Sequence, residues 1–197
     1  MTDPPRLVLA SASPRRQEIL RLAGIDFEIA VSDAEAGMDL RGRPAAVALA
    51  GARAKAVDVA GRLAGGWVVG ADTVVAVGRH VLGKPADAAE ARRMLARLSG
   101  RRHQVHTAFA VAQGGSGELV AEGCETSVVT FHVLEAATIA AYVASGDPLD
   151  KAGAYGIQSG GGTLVAEVIG SYLNVVGLPL ARLMQTLADV GGPVRWT

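Results

Sequence analysis

Two hydroxyl groups and two guanidinium groups follow a short apolar run near the start of the chain. In SASPRR, Ser11, Ser13, Arg15 and Arg16 come after the apolar residues Leu7–Ala10. If a helix begins here, its N-terminus presents unpaired N–H groups and a partial positive charge, which attract anions and disfavour cations by about 0.3–1 kcal/mol. A bound anion would offset that repulsion, and arginine binds phosphate in bidentate fashion. The segment predicts a phosphate cradle; a plain helix start with two solvated arginines is the alternative.

A carboxylate follows a second apolar run. In VVGADTVVAV, Asp72 comes after a segment that is apolar on both sides, which predicts a buried strand. A carboxylate at the end of such a strand is well placed to bind a divalent metal or to orient a water. The alternative is an aspartate that caps its own turn.

Two further polar groups are candidates for nucleotide binding. GRHVLGKP is similar to a P-loop, but Pro85 has no hydroxyl for magnesium and the residues between the glycines predict a strand. Lys84 remains a candidate phosphate ligand, or else a solvated loop lysine. In DPLDKAGAYGIQ, Gln158 has both a donor and an acceptor, as reading a nucleobase edge requires. A purely structural loop is the alternative.

Composition excludes several classes of function. The chain has 197 residues, with 19 basic and 19 acidic side chains and 4% aromatic residues. Zero net charge and few aromatic rings argue against nucleic-acid and anionic-membrane partners. Cys124, the single cysteine, excludes an intrachain disulfide and is predicted to be a structural thiol. His103 and His106 would point to opposite faces of a strand, which disfavours a metal pair.

The N-terminal apolar run is shorter than the ~7–15 residues of a signal-peptide core, and no run reaches the ~18 residues of a membrane span. We therefore expect a cytoplasmic protein.

The predicted elements alternate between strands and helices early in the chain, and hairpins follow. Strands are predicted at Leu7–Ala10, Phe27–Val31, Trp67–Gly70, Thr73–Val77, His80–Leu82, His103–Ala112, Leu119–Val133 and Thr163–Ile169. Helices are predicted from Pro14 to Gly24, Pro44 to Leu63, Asp87 to Gly100, Glu135 to Ser145 and Pro179 to Val190, with Ser13 capping the first and Asp87 with Glu90 forming a capping box for the third. This order predicts an α/β fold with a mixed sheet.

Several segments together resemble the Maf family of nucleoside triphosphate pyrophosphatases. They are LASASPRR, ARAKA, GADTVV, GKP, HQVHTA, YVASGDPLDKAGAYGIQ and YLNVVGLPL, in this order over nearly the whole chain. The resemblance implies one domain over residues 1–197, with a mixed, strongly bent sheet, flanking helices and two lobes around a cleft, similar to the inosine triphosphate pyrophosphatases. It also implies hydrolysis of a nucleoside triphosphate to the monophosphate and pyrophosphate, with a divalent cation (Mg²⁺ or Mn²⁺), and a homodimer.

The resemblance assigns roles to individual residues. It implies that Asp72 is catalytic and that phosphates are bound by Ser11, Arg15, Arg16, Lys55 and Lys84, although Lys55 could instead hold an acid in place. SPRR, ADT and YGIQ are similar to the subgroup that acts on dTTP and UTP, so Arg15, Thr73 and Gln158 are implied to set specificity. Related enzymes also accept CTP or modified pyrimidine nucleotides.

The chain departs from the family pattern after the second predicted strand. The family usually has two adjacent acids there; Glu35 matches the first, and Ala36 stands where the second would be. The resemblance implies Asp72 and Glu35 as metal ligands, with Asp33 as a substitute. The missing acid motivates an alternative function, a nucleotide-binding regulator of septum formation with weak or no catalysis.

Overall fold

The computed structural model describes residues 6–34 and 40–194. The strands in that part of the chain are β1 (Leu7–Leu9), β2 (Glu28–Ile29), β3 (Trp67–Val77), β4 (His80–Leu82), β5 (Arg102–Gln113), β6 (Leu119–Phe131) and β7 (Val165–Ile169). The α-helices are α1 (Pro14–Leu22), α2 (Pro44–Ala60), α3 (Ala88–Leu98), α4 (Ala136–Ala144), α5 (Tyr172–Val176) and α6 (Leu180–Asp189). Short 3-10 helices lie at Asp147–Asp150, Ala152–Ala154 and Gly160–Leu164.

The seven strands form one mixed sheet. Its order is β2-β1-β3-β5-β6-β7, and β4 pairs with β3 off this path. β1 is parallel to β2 and β3, whereas the other pairs are antiparallel. The predicted α/β fold, with a mixed sheet and flanking helices, is confirmed.

β3 is longer than the sequence predicts. It is one strand of 11 residues, and its antiparallel register with β5 runs without interruption from Trp67 to Ala76. The predicted break between Gly70 and Thr73 is therefore wrong. Asp72 lies inside the strand rather than after its end, because pairing with β5 keeps this segment extended.

One edge of β3 is shared between two partners. β1 pairs with Trp67–Val69, and β4 pairs with Val75–Val77. Within the described ranges, no strand pairs with residues 70–74 on this edge. The sheet is thus open at the point where β1 ends and the chain turns into α1, and Asp72 lies in the middle of the opening.

The two faces of the sheet are packed differently. α2 covers one face, against buried residues such as Val68 and Ala108. The opposite face carries one apolar cluster around Phe109, which includes residues of α1 and α6, and another around Val105, which includes residues of α3 and α4. Thr107 lies between them on β5 and is fully buried. Because alternate strand residues share a face, a polar seam separates the two clusters on that side.

The structure confirms one of the two predicted helix N-caps. The carboxylate of Asp87 accepts a hydrogen bond from the backbone N–H of Glu90 at 2.7 Å, so the predicted N-cap of α3 is confirmed. Ser13 occupies the N-cap position of α1, but its side chain makes no capping bond. Instead, Ser11 Oγ accepts from the Ser13 backbone N–H at 3.2 Å. The short helix α5 was not predicted, because five residues carry too little periodicity.

Candidate active site

A cavity of about 680 Å³ opens at the gap in the edge of β3. It is lined by eight of the predicted site residues: Ser11, Arg15, Arg16, Lys55, Asp72, Thr73, Lys84 and Gln158. Glu35, a predicted metal ligand, and its neighbour Ala36 lie outside the described residues. Residues separated by more than 140 positions in sequence thus meet around one space.

Asp72 and Thr73 are neighbours on β3, so their side chains leave opposite faces of the sheet. Both nevertheless line the cavity. This is consistent with the gap: at an edge without a strand partner, a ligand can reach both faces of the strand. The site therefore combines the α2 face, with Asp72, and the face of the polar seam, with Thr73.

Asp72 is held by a buried ion pair with Lys55. Lys55 Nζ donates to Asp72 Oδ1 at 2.9 Å and to the carbonyl oxygen of Ala71 at 3.1 Å. The two side chains are 5% and 8% exposed. A buried carboxylate needs such a partner, because an isolated charge in the interior is strongly unfavourable. Of the two roles implied for Lys55, this geometry favours holding the acid in place.

Gly70 brings α2 close enough for this pair. A Cβ atom at Gly70 would lie 2.3 Å from the carbonyl oxygen of Ala52 and 2.6 Å from the backbone nitrogen of Ala56. Any other residue would push the helix away from the strand. Because Lys55 precedes Ala56 on this helix, the glycine sets the distance from the ammonium group to Asp72.

Arg16 is turned toward protein acceptors. Its Nε donates to the carbonyl oxygen of Gly177 at 2.9 Å, Nη1 to Ser11 Oγ at 3.0 Å and Nη2 to Thr73 Oγ1 at 3.1 Å. The residue is only 9% exposed. Arg16 thus ties the start of α1 to β3 and to the segment after α5, and its predicted contact with phosphate stays a prediction.

The seam behind Thr73 is a continuous hydrogen-bonded network. Thr73 Oγ1 lies 3.0 Å from Thr107 Oγ1, which donates to the carbonyl oxygen of Asn174 at 2.8 Å. The side-chain amide of Asn174 accepts from the Thr107 N–H at 3.2 Å and donates to the Val105 carbonyl at 3.1 Å and to Ser127 Oγ at 2.8 Å. Buried polar groups are stable only when paired in this way. The sequence analysis missed both Thr107 and Asn174.

Arg15 and Lys84 occupy the more accessible part of the site. The side chain of Arg15 is 27% exposed, and its Nη1 lies 3.6 Å from Asp150 Oδ2. Lys84, just after β4, is exposed. Both residues line the cavity from different elements, so two positive charges lie beside the space that a long, flexible anion such as a triphosphate would fill.

The stretch of residues 147–158 forms another wall of the cavity. Lys151 Nζ donates to the Asp147 carbonyl and to Asp150 Oδ1, each at 2.6 Å. Tyr142 donates to Asp147 Oδ2 at 2.6 Å and accepts from the Gly156 N–H at 3.1 Å. Lys151 and Asp150 line the cavity although the sequence analysis did not select them.

Ionisation in this wall follows its burial and its hydrogen bonds. Burial, reinforced by the bond to Asp147, raises the pKa of Tyr142, so this phenol stays a donor. Although burial acts in the other direction, the hydrogen bonds from Tyr142, Ser159 and Lys151 lower the pKa of Asp147. The wall is therefore held by a carboxylate that remains ionised.

His103 supports the same wall from behind. Its Nε2 lies 2.9 Å from the hydroxyl of Tyr155, whose residue lines the cavity. Burial lowers the pKa of His103 to about 4. His106 instead contacts Thr126 Oγ1 at 2.8 Å, and burial lowers its pKa as well. The two histidines have separate partners, as their spacing on a strand predicts.

The described residues supply few metal ligands. In the ranges 6–34 and 40–194, no three His, Cys, Asp or Glu side chains form a group that could hold a metal. Asp33, the predicted substitute ligand, lines a separate surface depression with Asp58 and Arg62 rather than the cavity. Mg²⁺ often binds through one or two carboxylates together with substrate phosphates, and Asp72 fits that kind of site.

None of the helices in the described ranges is long and apolar enough to span a membrane.

Comparison with known proteins shows which family the chain matches. A model of the family described as Maf, Maf-like protein, matches residues 6–190. A protein named dTTP/UTP pyrophosphatase from Symbiobacterium thermophilum is 50% identical over 191 residues, with 96% of each chain covered. One of the same name from Myxococcus xanthus is 49% identical, with 98% of this chain and 97% of the relative covered.

Among solved structures, a nucleoside-triphosphatase / dITP/XTP pyrophosphatase from Mycobacterium abscessus is similar at a TM-score of 0.44 and 16% identity, covering 94% of this chain and 96% of that chain. Because this TM-score is low, the sequence matches alone carry the comparison.

Proposed function

Because the chain belongs to the Maf family, we propose that it is a nucleoside triphosphate pyrophosphatase that hydrolyses dTTP and UTP to the monophosphate and pyrophosphate. Such an enzyme is a hydrolase acting on acid anhydrides, and CTP or a modified pyrimidine nucleotide is a further candidate substrate. The observation that carries the proposal is the buried Asp72–Lys55 pair, which opens onto a cavity that Arg15, Lys84 and Lys151 also line.

The chain's own residues divide the work. Arg15 and Lys84 are placed to neutralise phosphate oxygens, with the hydroxyl of Ser11 as a further donor. Asp72, oriented by Lys55, holds a water in line with the α-phosphorus and accepts its proton. The water oxygen bonds to the α-phosphorus as the bond to the bridging oxygen breaks, and pyrophosphate leaves with the electron pair. Positioning and charge stabilisation carry most of such a reaction.

A divalent cation, Mg²⁺ or Mn²⁺, would be held by Asp72 together with phosphate oxygens, and Glu35 is the second proposed ligand. When bound, it would neutralise charge that develops on the phosphates. This proposal is supported by the chemistry of the cavity, in which a carboxylate lies among cationic side chains. Removal of the metal with a chelator is expected to abolish pyrophosphate release, and added Mg²⁺ or Mn²⁺ to restore it.

Specificity is proposed to depend on Arg15, Thr73 and Gln158. All three line the cavity, but from α1, β3 and the loop at residues 147–158, respectively. Gln158 is exposed at the loop, where its amide can reach a base edge. A homodimer in the cytoplasm stays part of the proposal, and sedimentation analysis of the purified protein would test the dimer.

The test is a panel of nucleoside triphosphates incubated with the protein and Mg²⁺ or Mn²⁺. We expect pyrophosphate, and not orthophosphate, from dTTP and UTP, with little from purine nucleotides. Orthophosphate as the first product would contradict attack at the α-phosphorus. Binding of dTTP without any hydrolysis would contradict the enzyme and favour the regulator, and the place of Ala36 in the acidic segment would then be the first feature to examine.

A further inference from the structure

The hydrogen bonds behind Thr73 have a fixed direction. At one end, the guanidinium group of Arg16 can only donate, and at the other, the carbonyl oxygen of Asn174 can only accept. Between them lie two hydroxyl groups, Thr73 and Thr107, 3.0 Å apart, each with a single hydrogen. The two ends therefore determine where both hydrogens point.

Thr107 donates its hydrogen to the Asn174 carbonyl, so its oxygen accepts from Thr73. Thr73 in turn accepts from Arg16 Nη2 and gives its only hydrogen to Thr107. Since a hydroxyl oxygen has two lone pairs, Thr73 keeps one for a further partner. On the cavity side, Thr73 can accept a hydrogen bond but has no hydrogen left to donate.

Burial makes this direction costly to reverse. Thr107 and Asn174 are both 0% exposed. If the Thr107 hydroxyl turned toward Thr73, the Asn174 carbonyl would lose its donor in the interior, where water cannot replace it. The side-chain amide of Asn174, bonded to the backbone of Val105 and Thr107, keeps that carbonyl in place.

We propose that Thr107 is a positioning residue that makes Thr73 a hydrogen-bond acceptor for the pyrimidine ring of the substrate. Uracil and thymine carry a hydrogen on N3, which can be donated to Thr73. Cytosine has a lone pair on N3, which would face the lone pair of Thr73 and be repelled. This inference rests on the proposed function and deepens it, since it assigns the choice between pyrimidine bases to a residue outside the cavity.

The experiment compares the dissociation constants of α,β-imido UTP and α,β-imido CTP, which bind without being hydrolysed at the α-phosphorus. The wild type is expected to bind the uridine compound at least about tenfold more tightly, the difference that one matched hydrogen bond supplies. Thr107→Val frees the hydrogen of Thr73 to turn into the cavity, and the preference is expected to fall by about tenfold. Thr107→Ser keeps the hydroxyl and is expected to keep the preference.

Ser127→Ala is the matched control. Ser127 is equally buried and bonds to the side-chain amide of Asn174, but it is not part of the chain from Arg16 to the Asn174 carbonyl. Its loss is expected to lower Tm as Thr107→Val does and to leave the ratio of dissociation constants unchanged. Equal shifts of the ratio in both variants would mean that the seam acts only through stability, and would overturn the proposal.

Thr73→Val gives an independent check, because it removes the acceptor itself. It is expected to abolish the preference, and adding Thr107→Val to it is expected to change the ratio no further. A preserved ratio in Thr73→Val, or a wild type that binds both compounds equally, overturns the inference. A wild type that discriminates but releases no pyrophosphate from UTP would contradict the proposed function and leave the inference standing.

Discussion

The cavity has two walls that are held in different ways. The inner wall consists of Ser11, Arg16, Lys55, Asp72 and Thr73, and the loop wall consists of residues 147–158. Arg16 reaches Gly177, 161 positions away, and Lys55 reaches Asp72 across 17 positions. In the loop wall, by contrast, the bonds of Asp147 to Tyr142, Lys151 and Ser159 span 12 positions at most, and the bond from Tyr155 to His103 reaches 52 positions back along the chain.

Burial separates the two walls as well. The side chains of Lys55 and Asp72 are 5% and 8% exposed, whereas those of Lys151 and Asp150 are 11% and 67% exposed. A charge fixed by distant elements in the interior cannot change without disturbing the core, while one fixed by near neighbours at the surface can. The inner wall is therefore suited to hold the catalytic carboxylate in place, whereas the charges of the loop wall can change at a smaller cost in stability.

The largest effect is expected from the carboxylate of the inner wall. Asp72→Asn keeps the shape of the side chain and an oxygen for Lys55, but removes the base, so kcat is expected to fall about a thousandfold or more. Asp150→Asn changes a carboxylate of the loop wall and is expected to alter kcat by about threefold at most. Pyrophosphate release measures both, with circular dichroism as the check on folding. Turnover of Asp72→Asn within about tenfold of the wild type would contradict its catalytic role.

Substitutions of Lys55 and Lys151 compare the contributions of the two walls to stability. Lys55→Met leaves Asp72 in the interior without its ammonium partner and is expected to lower the free energy of unfolding by about 3–5 kcal/mol. Lys151→Met leaves Asp150, which is exposed, and Asp147, which keeps its bonds from Tyr142 and Ser159, and about 1 kcal/mol is expected. Urea denaturation gives both values, and Lys55→Met combined with Asp72→Asn should recover part of the first loss. Equal losses in the two single variants would remove the distinction between the walls.

The free energy of unfolding is expected to depend on pH through His103, which contacts Tyr155 of the loop wall. The pKa of His103 is lowered from 6.5 to about 4 in the folded protein, so the unfolded chain binds the extra proton between these values. Stability is then expected to fall as the pH falls from 6.5 toward 4, by up to about 3 kcal/mol. His103→Gln cannot titrate and should show a smaller loss over that window in urea denaturation. Parallel pH profiles of the two proteins would contradict this role of His103.

The smallest effect is expected from Tyr142, which is hydrogen-bonded to Asp147 and Gly156 of the loop wall. Tyr142→Phe removes the hydroxyl that bonds Asp147 and the Gly156 N–H, with a loss of about 1 kcal/mol. Amide hydrogen exchange should become faster in residues 147–158 and stay unchanged in β3 and β5. Faster exchange in β3 would show that the two walls are coupled rather than separate.

The sequence predicted which residues gather at the site better than how they are arranged there. Ser11 and Asp72 were predicted because each follows an apolar run, and Lys55 was implied by the resemblance to the Maf family; all three line the cavity. The break predicted near Gly70 was wrong, because glycine there allows α2 to approach and does not end the strand.

The seam was missed for a physical reason. Thr107 lies in HQVHTA and Asn174 in YLNVVGLPL, but nothing within either segment indicates that these two side chains meet. Only the register of β3 with β5, which places Thr73 opposite Thr107, and the return of the chain to α5 bring them together. Such long-range pairings are not encoded in any short window of sequence.

The bond between Arg16 and Gly177 also constrains the order of events during synthesis. Arg16 leaves the ribosome early, but its acceptor follows 161 residues later. At about 5–20 residues per second, translation separates the two by on the order of ten seconds. Throughout that interval the nascent chain carries a guanidinium group destined for the interior without this carbonyl partner. A fragment that ends before α5 could bury β1 and α2, yet it would lack the groups that close the cavity, so binding of nucleotide should begin only after the residues from α5 onward have been synthesised.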